Sequence, residues 1–315
     1  MAQPPLVIDP LSPLAVPPGL FGVATGLDLP DHGANAGMIW VPDTCGVGEK
    51  YAAPCATPPY PAFAADAMEK LAQAWPFIVY ATVNVGAAGW TEQEIERRAR
   101  QRLINTEQVV AETALWGTSA LTIFQNVVPV VAGTVPPAAA ASPGVTGGIF
   151  QQLAAGGAAA GFVDLTAETA LTVPDAVAAL EQAAADNYYG QAIIHARPRI
   201  AAYAGKGNQF RVIGLPPESQ RTYQYTQNWN VWNFGNGYAG TGPTGQAPTL
   251  TPGDGTGTEY MWATGRIIVW RSPDAFYVPS AQVFDRQLNQ RIAYAFRQYV
   301  VGVECFSACV KVTRA

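Results

Sequence analysis

Histidines, nucleophiles and paired carboxylates supply most enzyme active sites, and this sequence offers few of them. Its two histidines, His32 and His195, lie far apart in the chain. His195 could act as a base towards Ser219 or a cysteine, but no partner motif flanks these nucleophiles, which favours a hydrogen-bonded structural histidine. Asp164 and Glu168 have helical spacing, and a solvated face or a helix cap explains them without a glycosidase pair. The sequence therefore predicts no catalytic residue and no enzyme.

Metal and nucleotide sites are not predicted either. The four cysteines, Cys45, Cys55, Cys305 and Cys309, do not have the spacing of a zinc knuckle, and a reducing compartment would keep them as thiols. The glycines between residues 235 and 245 lack the strand-loop-helix context and the Lys-Ser/Thr pair of a phosphate-binding loop. We expect no metal and no cofactor.

Aromatic and amide side chains are dense between Tyr223 and Phe234. Such a segment can stack on sugars or bases, or it can pack in an interface between protein subunits. Arg221 is the only nearby cation for a phosphate group, and the interface is the favoured interpretation.

The composition points to contact with other protein. Hydrophobic residues make up 49% of the 315 residues and charged residues only 13%, so much of the surface must be neutral. The net charge of −5 argues against a dedicated nucleic-acid binder. The longest apolar stretches are far shorter than the roughly 20 residues that span a bilayer. The N-terminus lacks the features of a secretory signal, which predicts folding in the cytoplasm.

The elements of the first third of the chain are predicted from proline content and periodicity. Residues 1–30 are rich in proline and indicate an extended arm. The predictions that follow are a loop or extended hairpin over 31–62, a short helix over 64–75 and a strand over 77–85.

The clearest prediction is a long helix from Thr91 to Trp116, about 39 Å in length. Thr91 and Glu94 have the spacing of a capping box. Apolar residues at helical spacing predict one buried side: Ile95, Ala99, Leu103, Val110, Ala111 and Ala114. Glu107 and Glu112 are predicted to lie on the more polar remainder.

The rest of the chain mixes helices and strands. Helices are predicted near 150–155, over 173–189 and over 199–204, and strands over 191–195, 260–271 and 300–312, with 289–296 as an extension of the last. Residues 234–257 are predicted to form a surface loop. The fold class is α+β.

This order of elements resembles the major capsid proteins of tailed bacteriophages of the Hong Kong 97 type, particularly those of actinobacteriophages. The resemblance rests on four short motifs, which begin at Ile193 (Ile-Ile-His-Ala-Arg-Pro-Arg), Asn236 (Asn-Gly-Tyr-Ala-Gly-Thr-Gly-Pro), Trp262 (Trp-Ala-Thr-Gly-Arg-Ile-Ile-Val-Trp) and Asn289 (Asn-Gln-Arg). It implies an N-terminal arm (1–30), an extended loop (31–90), a spine helix with the peripheral domain (91–190), an axial domain (191–275) and a return to the peripheral domain (276–315).

The resemblance also implies a function. Such a structural protein self-assembles through pentamers and hexamers into the icosahedral shell, or viral capsid, that encloses phage double-stranded DNA without sequence-specific binding. The expected location is the virion, after assembly in the host cytoplasm and without membrane contact, and the expected partners are other copies with scaffold, portal and decoration proteins.

Nine residues are predicted by position and type to contact neighbouring subunits: Trp40, Lys50, Tyr51, Arg97, Arg98, Arg102, Trp229, Trp232 and Phe234. The chain departs from some family members in two ways. No lysine and asparagine pair for covalent cross-linking is identified, and no charged coiled-coil prefix is present to act as a built-in scaffold.

Alternatives remain open. An encapsulin-like nanocompartment shell shares the fold, and a tail or head-decoration protein is a second structural role. A carbohydrate-binding module or hydrolase would use the aromatic segment at 223–234. The sequence leaves open the triangulation number, the host, proteolytic maturation and the state of the cysteines.

Overall fold

The computed structural model describes residues 19–31, 38–40, 70–74, 76–86, 90–116, 125–129, 148–157, 161–167, 169–206, 211–214, 222–250, 257–279, 284–285, 287, 289–304 and 306–313. Every structural statement below concerns these residues. Most of the predicted arm, the predicted contact residues Lys50 and Tyr51, and the side chains of His32, Ser219 and three of the cysteines lie outside them.

The helices and strands are distributed along the whole described chain. The helices are α1 (Leu20–Val23), α2 (Glu92–Trp116), α3 (Ile149–Gly156), α4 (Val173–Asn187) and α5 (Pro198–Lys206). The strands are β1 (Thr25–Asp28), β2 (Met38–Trp40), β3 (Lys70–Ala74), β4 (Phe77–Gly86), β5 (Gln125–Pro129), β6 (Phe162–Leu165), β7 (Ile193–His195), β8 (Arg211–Gly214), β9 (Thr222–Tyr225), β10 (Val231–Asn233), β11 (Glu259–Thr264), β12 (Ile267–Arg271), β13 (Phe276–Val278), β14 (Phe284–Asp285), β15 (Gln290–Val303) and β16 (Ser307–Val312). The predicted α+β class is confirmed. No described helix is long and apolar enough to cross a membrane.

A six-stranded sheet is built around the 14-residue strand β15. Strand β4 pairs with β15 along one edge, and β12, β13 and β14 pair with it along the other, all antiparallel. Strand β1 extends the sheet by pairing in parallel with β12. The sheet therefore joins segments from three distant parts of the sequence.

A seven-stranded sheet has the order β6-β16-β11-β7-β10-β9-β8. The chain passes between the two large sheets twice, from β11 to β12 and from β15 to β16. Backbone hydrogen bonds from Gly265 N to the Phe306 carbonyl and from Glu304 N to the Arg266 carbonyl hold the two crossings side by side. The strands predicted over 260–271 and 300–312 are therefore each divided in two at this crossing.

A third, three-stranded antiparallel sheet contains β2, β3 and β5. Its Trp40 ring packs against Trp270 of the six-stranded sheet, with ring centroids 5.3 Å apart. The helix predicted over 64–75 is wrong for Lys70–Ala74, because this segment is β3 and pairs on both sides with distant strands. Pairing with strands so far away in the sequence overrides the helical spacing of neighbouring residues.

The long helix α2 begins with the predicted capping box. The Thr91 N–H donates to the Glu94 carboxylate at 2.9 Å, and the Glu94 N–H donates to Thr91 Oγ1 at 3.3 Å. Its buried side packs on β4 and β15. The fully buried Ile95, Leu103 and Leu115 each contribute about 1.5–3 kcal/mol by burial. This helix, the strand over 77–85 and the helix over 173–189 are confirmed to within a few residues.

Two large clusters of buried side chains form the core. One lies between α2, α3 and the six-stranded sheet, and it extends to Trp262 of the seven-stranded sheet. The other lies between α4, α5 and the seven-stranded sheet. Helix α4 begins with the side chain of Thr172, which accepts the Asp175 N–H. Helix α2 thus covers the six-stranded sheet, and helices α4 and α5 cover the seven-stranded sheet.

Candidate functional site

Two buried carboxylates on α2 fix its position, contrary to the prediction that they lie on its polar side. Glu112 is fully buried and accepts the backbone N–H of Leu20 at 2.9 Å and that of Gly237 at 2.8 Å. Burial raises the pKa of Glu112, and these hydrogen bonds oppose that shift. The carboxylate therefore anchors α1 and the segment at 235–242 to the helix.

Glu107 is the second buried carboxylate, at 6% exposure. It accepts the hydroxyl proton of Tyr299 at 2.6 Å and pairs with Arg297 at 2.7 Å. Arg271 lies 3.6 Å away on β12. A sequence pattern of apolar residues alone misses both carboxylates, because their partners come from distant strands.

The segment after β10 was predicted to be a surface loop, and residues 238 and 240–243 are instead buried. The Thr241 carbonyl accepts the indole N–H groups of Trp116, at 2.8 Å, and of Trp262, at 3.1 Å. Gln151 donates to Thr241 Oγ1 at 2.9 Å. The segment wedges between α2, α3 and β11, so its turn-forming sequence serves internal packing.

His195 lies in a buried polar cluster and has 0% exposure. Its Nε2 is 2.8 Å from Thr264 Oγ1, and its Nδ1 is 3.0 Å from the Tyr238 hydroxyl and 3.2 Å from Asn233 Nδ2. Burial lowers the pKa of His195 to about 3, so the ring is neutral at neutral pH. A buried neutral ring with satisfied nitrogens fits the structural role that the sequence favours.

Metal ligands do not cluster within the described residues, where no group of three His, Cys, Asp or Glu side chains could hold an ion. Cys309 is a buried free thiol, and burial raises its pKa well above the ordinary value. Asp164 lies on strand β6, so the expectation of a helix from its sequence spacing is wrong. Its carboxylate accepts hydrogen bonds from the N–H and the hydroxyl of Thr166.

The six-stranded sheet exposes apolar side chains on the face opposite α2. Along β4, Phe77 and Val79 are buried towards the helix, whereas Ile78 and Tyr80 point away and are 50% and 64% exposed. Tyr80 lies opposite Phe296, which in turn lies opposite Phe276 on β13, and paired residues of an antiparallel sheet share a face. We call Ile78, Tyr80, Phe276 and Phe296 the outer sheet face.

Sequence reasoning missed the outer sheet face, although a signal was present. Residues 77–80 are Phe-Ile-Val-Tyr, which is apolar in both phases of the strand alternation. A strand that is apolar in both phases has two faces to cover. Phe276 and Phe296 stack at 5.2 Å between ring centroids, and Phe276 stays 48% exposed.

The predicted contact residues in the loop and on α2 occupy different environments. Trp40 is half-buried against Trp270 within the same chain. The Arg98 guanidinium lies 3.8 Å from the centre of the Trp90 ring. Arg102 is exposed and donates to the Thr82 carbonyl at 2.8 Å, and Arg97 is also exposed. An inter-subunit role for these four residues stays a prediction.

The three predicted contact residues after β9 separate into two groups. Trp232 and Phe234 stack on each other in the second core cluster, at 0% and 5% exposure. Their burial does not fit direct contact with a neighbouring subunit. Trp229 lies in the turn between β9 and β10 and is 49% exposed, and an inter-subunit role for it stays a prediction.

Comparisons with known proteins give a likeness in structure and none in sequence. The chain matches no protein-family model and no curated protein. It is similar in structure to the SrpI encapsulin of Synechococcus elongatus PCC 7942, with 11% identity, a TM-score of 0.49, and coverage of 99% of this chain and 93% of that chain. The capsid of a native GTA particle gives 14% identity, a TM-score of 0.49, and coverage of 98% and 100%. The capsid of cyanophage Pam1 gives 11% identity, a TM-score of 0.45, and coverage of 93% of this chain and 89% of that chain.

These three solved structures are an encapsulin, the capsid of a GTA particle and the capsid of a cyanophage, whereas the sequence predicts a phage capsid and, as an alternative, an encapsulin-like shell. Their TM-scores lie below 0.5, so the function proposed next rests on the sequence and architecture of this chain.

Proposed function

We propose that the chain is a shell-forming subunit of the Hong Kong 97 type and serves as the major capsid protein of a tailed bacteriophage. The chemistry of the described residues supports a structural role. His195, Glu107, Glu112 and the thiol of Cys309 are all buried, and the first three are hydrogen-bonded within the subunit.

The observation that carries the proposal is the outer sheet face. A subunit that works alone covers its apolar surface, whereas contiguous exposed apolar side chains mark a contact with other protein. Here the side chains of Ile78, Tyr80 and Phe276 are each about half exposed or more, on the face of the six-stranded sheet opposite α2. A second copy of the chain would bury them.

The division of the fold supports the same proposal. We assign the unit of α2, β4 and β15 to the peripheral domain and the seven-stranded sheet with α4 and α5 to the axial domain. This assignment differs from the sequence boundaries, which put α4, β6 and β16 in the peripheral ranges 91–190 and 276–315 and β4 in the extended loop 31–90. The extended segment β1 is a strand of the six-stranded sheet in the first unit, and β2 packs against that sheet through Trp40. Arms of this kind can lap onto neighbours and bury more surface than a compact domain offers.

Charge supports enclosure of DNA without tight binding. The chain has 18 basic and 23 acidic residues, which leaves little attraction for phosphate over the subunit as a whole. Scaffold, portal and decoration proteins would be further partners of this shell subunit.

The test is to express the chain alone and together with its genomic neighbours, and to examine the purified protein by size-exclusion chromatography with light scattering and by electron microscopy. We expect closed shells, or rings the size of capsomers. A stable monomer under both conditions would overturn the proposal.

The contents of particles isolated from their natural source separate the two kinds of shell. A phage capsid holds double-stranded DNA that resists nuclease until the shell is opened. Particles that hold a protein cargo and no DNA would instead identify a nanocompartment.

A further inference from the structure

The turn between β9 and β10, residues 226–230, displays an aromatic side chain on a strained backbone. Trp229 has a φ angle of 68°, in the left-handed region that bulky side chains avoid. Its indole is nevertheless 49% exposed, at 5.6 Å from the Tyr225 ring between centroids. The subunit therefore presents a half-exposed tryptophan ring on a backbone conformation that suits glycine.

The strain is held in place by a dense set of hydrogen bonds. The Glu181 carboxylate on α4 accepts the Thr226 hydroxyl and the side-chain amides of Asn228, at 2.7 Å, and Asn230, at 3.2 Å. The Gln191 side-chain amide donates to the Trp229 carbonyl. The turn is thus preorganised, and strain of this kind persists at positions with a function.

The surroundings of the turn are concave and partly aromatic, and the Glu181 carboxylate lies among them. A cavity of about 470 Å³ lies between the turn and α4, lined by Ala185, Tyr188, Gly190 and Asn230 among others. Tyr189, at the end of α4, is 60% exposed. The residues that line the cavity include no lysine or arginine, which disfavours a phosphate or nucleic acid as the occupant.

The polar groups of the turn also disfavour a sugar. A sugar site needs carboxylate and amide groups that are available to hydroxyls, whereas Glu181, Asn228 and Asn230 already bond one another. What the turn offers to a partner is a rigid aromatic ring with amides around it. This composition is that of the buried centre of protein interfaces.

We propose that the turn at 226–230 is a preformed contact for a second copy of the chain, with Trp229 as its anchor. The inference rests on the proposed function, because shell assembly is what brings a second copy to this surface. Preorganisation lowers the ordering cost of each contact, which matters in a shell where every subunit repeats it.

The variant that tests the anchor is Trp229→Gly. Glycine adopts a φ of 68° without strain, so this change removes the ring and leaves the turn in its conformation. Trp229→Phe is the matched variant, because it keeps an aromatic ring at the same strained position. Each protein is purified as the full chain and assembled with the wild-type partners, and the lowest subunit concentration that yields shells is measured by light scattering.

We expect Trp229→Gly subunits to unfold at the same urea concentration as wild type or a higher one. The concentration needed for assembly should rise about 30-fold, the effect of truncating an anchoring aromatic side chain at an interface. Trp229→Phe should stay within about fivefold of wild type. Assembly of Trp229→Gly at the wild-type concentration would refute the inference and leave the proposed function intact, whereas wild type that forms no shells would remove both.

Quenching gives a second readout. The acrylamide-accessible emission of Trp229, taken as wild type minus Trp229→Phe, should fall on assembly. An unchanged accessibility in shells contradicts the inference. A change produced by soluble glycans on unassembled subunits would reassign the turn to sugar binding.

Discussion

Glu107 on α2 accepts a hydrogen bond of 2.6 Å from the hydroxyl of Tyr299, a residue 192 positions later in the sequence. The same carboxylate pairs with Arg297 at 2.7 Å, so one side chain fastens the long helix to the central strand of the six-stranded sheet.

Glu107→Ala should destabilise the subunit by about 2–4 kcal/mol, because it leaves Arg297 and the Tyr299 hydroxyl buried without their acceptor. Urea unfolding of unassembled subunits measures the change. Glu96→Ala is the control, since Glu96 forms an exposed ion pair with Arg100 and should cost less than about 1 kcal/mol. Equal losses in the two variants would contradict the assigned role of Glu107.

Acid should weaken the fold through His195. Its pKa is about 3 in the folded chain and 6.5 in a model peptide, so the unfolded chain binds the proton more readily. Stability is therefore complete above pH 6.5 and is lost as the pH falls towards 3, by up to about 1.4 kcal/mol per pH unit. The free energy of unfolding should fall more steeply between pH 7 and pH 4 with histidine at position 195 than in His195→Gln.

Glu112 acts in the opposite direction and must be controlled. Burial raises its pKa in the folded chain, so its protonation favours the folded state as the pH falls. The proteins with histidine and with glutamine at position 195 are therefore compared in a Glu112→Gln background. A slope that is the same with histidine and with glutamine at position 195 would show that the ring is not the titrating group.

Tyr80→Glu should block assembly and leave the subunit folded. Tyr80 is 64% exposed, so the change should alter the free energy of unfolding by no more than about 0.5 kcal/mol. A charge on the outer sheet face would be desolvated in a contact between copies, which raises the subunit concentration needed for shells. Ala202→Glu adds the same charge at an exposed position on α5 and should assemble normally.

Gly302→Ala should loosen the three-stranded sheet. A Cβ atom at position 302 would lie 2.5 Å from the Trp40 ring and 3.1 Å from the Trp270 ring, against which Trp40 packs. We expect a loss of about 1–3 kcal/mol and a change in tryptophan emission. Gly86→Ala is the matched control, because no atom lies within 4 Å of the added Cβ. An unchanged emission for Gly302→Ala would place the Trp40 contact in doubt.

Local signals in the sequence predicted the elements that depend on local interactions. The Thr91–Glu94 capping box located the start of α2, and the apolar spacing around Val177 and Leu180 located α4. The helix prediction for Lys70–Ala74 followed from Ala, Met and Leu at helical spacing, and it is wrong because the neighbouring strands come from residues 38–40 and 125–129, which no local pattern reveals.

The candidate surfaces were predicted less completely than the elements. Residue type gave the same weight to Trp229, which the fold leaves 49% exposed, and to Trp232, which it buries. Tyr80 was missed because exposure on a sheet face depends on which face α2 covers. The buried positions of Glu107 and Glu112 were likewise set by partners far along the chain.

The six-stranded sheet has a consequence for the timing of synthesis. Strand β1 pairs with Ile268–Arg271, and β4 finds its partner in Gln290–Tyr299, so the first strands of this sheet leave the ribosome more than 200 residues before the strands they bind. Contacts so distant in sequence form late in folding. A nascent chain cannot complete the outer sheet face until nearly all of it has been translated. An interrupted translation product would therefore lack a completed outer sheet face, and under the proposed function the fold itself would exclude incomplete chains from assembly.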